Sequence, residues 1–188
     1  MAVAEGGREI GGGKVNTTVV IREETPQDYD AIRELNKATF QGDEEAGLVD
    51  RLRNEGAAVL SLVALEGDQI VGQIMFSDLA IQTQTGVVPA VSLAPVAVLP
   101  EFQRRGIGSA LVGCGLEVCR ERGRQIVVVL GHPDYYPRFG FSPELAKELD
   151  SRYSAEAGNA WMAVELTPGA LSGVKGMVRY PTAFDIFS

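Results

Sequence analysis

The chain reads as an α/β protein of the α+β kind, with one mixed, mostly antiparallel central sheet flanked by helices. Three observations predict this. Strand-like runs at 59–65, 69–79 and 90–99 follow one another with polar links and no helix between them, the pattern of an antiparallel meander. The last run is followed by an amphipathic helical stretch and then an all-apolar run, Ile126–Leu130. A strand reached through a helical crossover usually lies parallel to the one it left. The 188 residues, 45% hydrophobic and 22% charged, suit one domain with a sizeable core.

Each element has its own signal. Residues 1–16 hold five glycines and few large apolar groups, and are expected to be a flexible leader to a single domain at 17–188. Val19–Glu23 is a short strand. Thr25 and Pro26 open a helix, as cap and first helical residue, with Tyr29, Ile32 and Leu35 as its apolar stripe and Phe40 near its end. A second helix spans about 43–54, with Leu48, Val49 and Leu52 inward and Gly56 at its stop. Glu66-Gly67-Asp68 is a tight hairpin between two strands, and Gly72 marks a bulge or twist in the second. Residues 81–88 read as a polar excursion. Gly131-His132-Pro133 breaks the strand after the crossover, and 134–139 suit one short helical turn. Residues 144–159 read as loop with helix fragments, Trp161–Leu166 as a strand, and the C-terminal extension from about 167 as a segment that docks through Val178, Tyr180, Phe184 and Phe187.

Composition excludes several functions. A formal net charge of −8 argues against nonspecific nucleic-acid binding and permits a cationic substrate. No apolar run approaches the ~20 residues of a membrane span and no signal peptide is visible, so no membrane partner and a cytoplasmic location are expected. One histidine and no Cys/His cluster argue against a metal site. Cys114 and Cys119, five apart on one helix, point about 140° apart and read as core thiols rather than a disulfide.

The chemistry concentrates in residues 93–109. An apolar strand, Leu93–Leu99, stops at Pro100, and Gln103-Arg104-Arg105-Gly106-Ile107-Gly108 then opens a helix. A helix start offers unpaired N–H groups and partial positive charge, glycines admit a close ligand, and the arginines add charge: a phosphate cradle. No Gly-Lys-Ser/Thr follows, so it is not a Walker loop. Leu111 stands where a dinucleotide fingerprint needs its third glycine.

The stretch resembles the coenzyme A loop of the GNAT superfamily of acyl-CoA N-acyltransferases, Gln/Arg-x-x-Gly-x-Gly/Ala after a Val-x-Pro strand end. Here these are Gln103 to Gly108 and Val98-Leu99-Pro100. A second family motif, Tyr-x-x-x-Gly-Phe, is matched by Tyr136 to Phe141. His132-Pro133-Asp134-Tyr135-Tyr136 looks like the wording of a bacterial branch of predicted N-acetyltransferases. The resemblance implies the GNAT fold, with the sheet splayed between its fourth and fifth strands, Ala90–Leu99 and Ile126–Leu130. It implies acetyl-CoA as donor substrate, no metal, and direct transfer of acetyl to a primary amine on a small molecule or peptide in a ternary complex. Dimerisation is common in the family, so a homodimer stays open. The alternative is a CoA-binding sensor or regulatory module without transfer.

By the same resemblance, the donor lies against Val96, Ala97, Val98, Gln103, Arg104, Arg105, Gly106, Ile107, Gly108, Ser109 and Tyr136. The Val96 N–H polarises the thioester carbonyl, Pro95 suits a bulge beside it, and Tyr136 protonates or orients the leaving thiolate. Either arginine alternatively sits solvated at the rim, and Tyr136 alternatively only packs. His132 is a candidate base or a structural turn residue; Glu23, Glu44, Glu45 and Asp134 are unranked carboxylate alternatives. Phe40 either lines the acceptor pocket or packs in the core.

Overall fold

A computed structural model describes residues 8–10 and 19–187. Its strands are β1 (Arg8–Ile10), β2 (Val19–Glu23), β3 (Ala58–Glu66), β4 (Gln69–Gln82), β5 (Val87–Val98), β6 (Ile126–Leu130), β7 (Leu149–Asp150), β8 (Trp161–Glu165) and β9 (Gly176–Arg179). The helices are α1 (Tyr29–Phe40), α2 (Glu44–Asn54), α3 (Ile107–Glu121) and α4 (Pro143–Ala146). The sheet runs β1-β2-β3-β4-β5-β6-β8, with β9 beside β4 and β7 beside β9. Every neighbour along the main path is antiparallel except β5 and β6, which are parallel as the crossover requires.

Period-2 alternation sorts the strands' side chains onto two faces. On one, Leu60, Leu62, Ile74 and Phe76 pack with Ile107, Leu111, Val112 and Leu116 of α3. On the other, Val63 and Met75 pack with Ile32 of α1 and Leu48, Val49 and Leu52 of α2. The C-terminal tail crosses this second face. Val178 pairs with Ile81 through β9, and Ala183 and Phe184 bury beside α2.

Several elements differ from their sequence signals. Arg8–Ile10, inside the stretch read as a leader, pairs with β2; three residues are too short to show a period, and the exposed ladder edge of β2 supplies the template. The rest of that stretch lies outside the described residues. The supposed excursion at 81–88 is mostly strand. β4 continues to Gln82, β5 starts at Val87, and the connection is Thr83–Gly86, held by the Thr83 hydroxyl and N–H donating to the Gly86 carbonyl at 2.9 and 2.8 Å. β9 covers this extension, a long-range pairing that polar residues at 82–85 conceal. Leu149–Asp150 forms a two-residue strand on β9 within the expected loop. Pro26–Asp28 is a 3-10 turn preceding α1, not its first α-turn.

That turn is tied to β2. Asp28 accepts hydrogen bonds from Arg22 Nη1 and Nη2 at 2.7 and 2.9 Å and from the Thr25 N–H at 2.7 Å. The Arg22 guanidinium, aided by Thr25, pulls its carboxyl from an ordinary 3.8 down to about 2. A carboxyl depressed on folding contributes stability that is complete above its unfolded value and is lost as pH falls through the folded one. Asp28→Asn should therefore lower stability at neutral pH by about 1–3 kcal/mol, and should flatten the part of the acid-denaturation curve between about pH 4 and pH 2. Urea titrations across that range measure both.

Candidate active site

The site begins where two strands part. β5 and β6 share only two register positions, Val91 with Val127 and Ser92 with Val128. From Leu93 onward β5 keeps β4 on one side and has no β6 partner on the other, while β6 stays paired with β8 to Leu130. The fold class expected from sequence, a sheet splayed between these strands, is what the structure has.

A bulge sits at the parting. Phe76 opposes Leu93 and Ile74 opposes Val96, so Met75 alone faces Ala94 and Pro95. Proline has no N–H for the ladder, and a bulge accommodates the extra residue. Beyond it the register resumes as Ile74–Val96, Gln73–Ala97 and Gly72–Val98. Leu99 donates its N–H to Val71 at 3.0 Å, making that position a hydrogen-bonded pair. Antiparallel pairs alternate, so Ala97 is the next bonded position, and Val96 and Val98 turn their backbone groups away from β4 into the gap. Ala97 instead directs its N–H and C=O toward Gln73 of β4. The Val98 carbonyl already accepts Gln103 Nε2 at 3.0 Å and the Thr39 hydroxyl of α1 at 3.3 Å. Gln103 therefore reaches back to the strand end, which its motif position alone does not reveal.

The cradle follows. Leu99 leads into a 3-10 turn, Pro100–Phe102, and the chain then passes through two left-handed residues, Arg104 (φ 60°) and Gly106 (φ 86°). Gly106 adopts that conformation freely. For Arg104 it costs on the order of 1–3 kcal/mol, the kind of strain found in ligand-binding turns. The first bond of α3 runs from the Ala110 N–H to the Gly106 carbonyl at 3.0 Å, so the N–H groups of Ile107, Gly108 and Ser109 precede the helical ladder. The arginines divide. Arg105 pairs with Glu66 on the β3–β4 hairpin and lies 5.0 Å over the Phe102 ring. Arg104 is exposed and makes no ion pair among the described residues.

Across the gap lies the end of β6. The Tyr135 and Tyr136 N–H groups donate to the His132 carbonyl at 3.0 and 3.3 Å, closing the turn that starts the 3-10 segment Tyr136–Phe139. Tyr136 is 8% exposed, with its ring edge-on to Phe141 at 5.5 Å. Burial pushes its phenol far above the usual tyrosine range, so it holds its proton at any physiological pH. The Tyr136 ring fits because residue 131 is glycine: a Cβ there would lie 2.2 Å from its Cε2. Tyr135 takes the other direction, its hydroxyl 3.4 Å from Ser109 Oγ at the start of α3.

The structure disperses the candidate bases. The His132 side chain and Asp134 are exposed on the turn. Glu23 pairs with Arg122 at the far end of α3, whose 15 residues span ~22 Å; that separates it from the cradle. Glu44 and Glu45 open α2. Phe40 is 38% exposed, next to Thr39, so the core-packing alternative does not describe it. Cys119 is buried, and burial pushes its thiol up to about 11. Among the described residues no His/Cys/Asp/Glu group could hold a metal, and no helix is long and apolar enough to cross a membrane.

Sequence reasoning missed a buried polar chain beneath α1 and α2. Arg53 holds Glu24 through Nε and Nη2 at 2.8 and 2.7 Å, Ser61 donates to Glu24, Gln73 Nε2 donates to Ser61 Oγ at 3.1 Å, and Asn36 Nδ2 donates to Gln73 Oε1 at 3.3 Å. These residues lie on α1, α2, β3, β4 and the loop after β2, so no local spacing links them. Their only sequence signal is a polar residue at an inward position of an apolar strand, as at Ser61 and Gln73.

Gly131→Ala should force the Tyr136 ring from its seat, lowering stability by about 1–3 kcal/mol and changing the near-ultraviolet circular dichroism of the aromatic cluster. An unchanged spectrum and melting midpoint would contradict the packing described.

Comparison with known proteins agrees with this geometry. Residues 20–143 match the family described as Acetyltransferase (GNAT) domain. The uncharacterized N-acetyltransferase YhbS of Escherichia coli K12 is 35% identical over 170 residues, 90% of this chain and 100% of that protein. The crystal structure of the E. coli GNAT family N-acetyltransferase YhbS in complex with CoA superposes with a TM-score of 0.83 at 32% identity, covering 100% of this chain and 98% of that one. A Brucella melitensis GNAT family acetyltransferase in complex with acetyl-CoA gives 0.74 at 34% identity, over 89% and 98%. A parted β5–β6 pair beside a glycine-built helix start, with these matches, places the chain in the GNAT acetyltransferase family.

Proposed function

We propose that the protein transfers an acetyl group from acetyl-CoA to a primary amine by direct attack within a ternary complex. The observation that carries this reading is the unpaired inner edge of β5, ending at the free N–H groups of α3. The donor's pantetheine arm fits there as an added strand, with the Val96 and Val98 N–H groups as its ladder. The residues present suit its pyrophosphate: three helix N-terminal N–H groups, a left-handed glycine and an exposed arginine. That relatives were crystallised with CoA and acetyl-CoA supports the same donor.

In this reading the N–H groups from Arg104 to Ser109 hold the pyrophosphate and Arg104 adds charge at the rim. The Val96 N–H donates to the thioester oxygen as negative charge develops there, a contribution often of about 3–4 kcal/mol. The amine nitrogen bonds the acyl carbon as the carbon–sulfur bond breaks. Tyr136, held protonated by burial, donates a hydrogen bond to the departing thiolate rather than surrendering its proton first. His132, the one imidazole of the chain, takes the ammonium proton, directly or through water.

Thiol release from acetyl-CoA across a panel of primary amines, with mass spectrometry of products, tests the reading. Amine-dependent release is expected; tight CoA binding with no release for any amine would favour a binding module instead. Tyr136→Phe should lower kcat roughly 10- to 100-fold, with little change in the KM for acetyl-CoA, if the hydroxyl meets the thiolate. Cys114→Ala and Cys119→Ala together should leave kcat within about threefold: direct attack uses no thiol, and burial pushes the Cys119 thiol up to about 11, a poor nucleophile at neutral pH. An acetylated cysteine trapped on the protein would exclude direct attack.

A further inference from the structure

We propose that Tyr135 is a donor-binding residue, its hydroxyl hydrogen-bonding acyl-CoA where the pantetheine arm meets the pyrophosphate; this rests on the donor reading above. The hydroxyl lies 3.2 Å from where a Cβ on Gly108 would stand, and Val98 Cγ2 lies 3.7 Å from the same point. One small volume therefore gathers the phenol, the first turn of α3 and the gap-facing end of β5.

The donors there outnumber the acceptors. The N–H groups of Ile107, Gly108 and Ser109 precede the helical ladder. The Tyr135 hydroxyl meets Ser109 Oγ at 3.4 Å, long for an O–H···O bond, which leaves most of its capacity unused. The complement to such a place is a ligand rich in oxygen acceptors, which the junction of an amide-bearing arm and a pyrophosphate supplies.

The ring is held in advance. It is edge-on to Tyr136 at 5.1 Å and to Phe139 at 5.4 Å, and the Arg138 guanidinium covers it at 4.8 Å while Nε donates to the Tyr135 carbonyl at 2.9 Å. A rotor fixed by packing loses little entropy when its hydroxyl engages a ligand. The two adjacent tyrosines thus divide the donor between them. Tyr136 belongs to the buried wall, and Tyr135 serves the end marked by Val98, two residues or roughly 7 Å along β5 from Val96.

The test is Tyr135→Phe, which keeps every ring contact. Isothermal titration should show CoA binding about tenfold weaker than in the wild type, as for one lost hydrogen bond to a polar ligand. The KM for acetyl-CoA should rise by a similar factor, with kcat within twofold and the melting midpoint unchanged. Adenosine 3′,5′-bisphosphate, which lacks the pantetheine arm and the second pyrophosphate phosphorus, should inhibit both proteins equally. CoA binding within twofold of wild type would overturn the assignment, and so would a lower kcat at constant KM, which would assign the hydroxyl to the thiolate. A wild-type protein that binds no CoA would instead remove the donor reading itself.

Discussion

The site depends on the early end of a single strand pairing. β5 and β6 hold one another at Ser92 and Val128 and then separate, each kept in the sheet by its other neighbour. A parallel sheet that continued to Val98 would satisfy every backbone group and leave nowhere for an extended ligand. The bulge at Ala94–Pro95 sits at the point of parting, and the alternation after it decides which residues face the gap. A one-residue slip would exchange Val96 and Val98 for Ala97.

The gap can persist because its walls are braced elsewhere. α3 packs on one face of the sheet through Ile107, Leu111 and Val112, directly behind the cradle. On the other face, the network from Arg53 through Glu24, Ser61 and Gln73 to Asn36 ties α1 and α2 to β3, β4 and the loop after β2. Gln73 is the ladder partner of Ala97, one residue from the gap-facing Val96. Networks of this kind are costly when partly satisfied and hold a unique arrangement when mostly satisfied. Within this network Asn36 Oδ1 is buried and without a partner among the described residues, a local cost of about 1–3 kcal/mol. Bracing here suits the part proposed for the Val96 N–H, because electrostatic stabilisation requires donors that need not reorganise.

Local chemistry was legible where it is encoded locally. Pro100, the glycines at 106 and 108 and the apolar face of α3 announce strand, turn and helix in order, and the structure has them in that order. Gln103 shows the limit of such reading: its motif position carries no sign that its amide donates back to the Val98 carbonyl. Tyr135 carries no signal of its own in the sequence, and only the folded turn brings its hydroxyl to Ser109. Glu23, as good a carboxylate as any in sequence, is removed from the cradle by the length of α3.

By itself the sequence determined the element order, the parallel crossover and the glycine-containing turn that opens α3, because turns, caps and periodic burial are properties of neighbouring residues. Tertiary structure alone decided where β5 and β6 part, which backbone groups of β5 stay unpaired and which tyrosine faces the cradle. Each of those rests on contacts between residues tens of positions apart, whose geometry no local pattern carries.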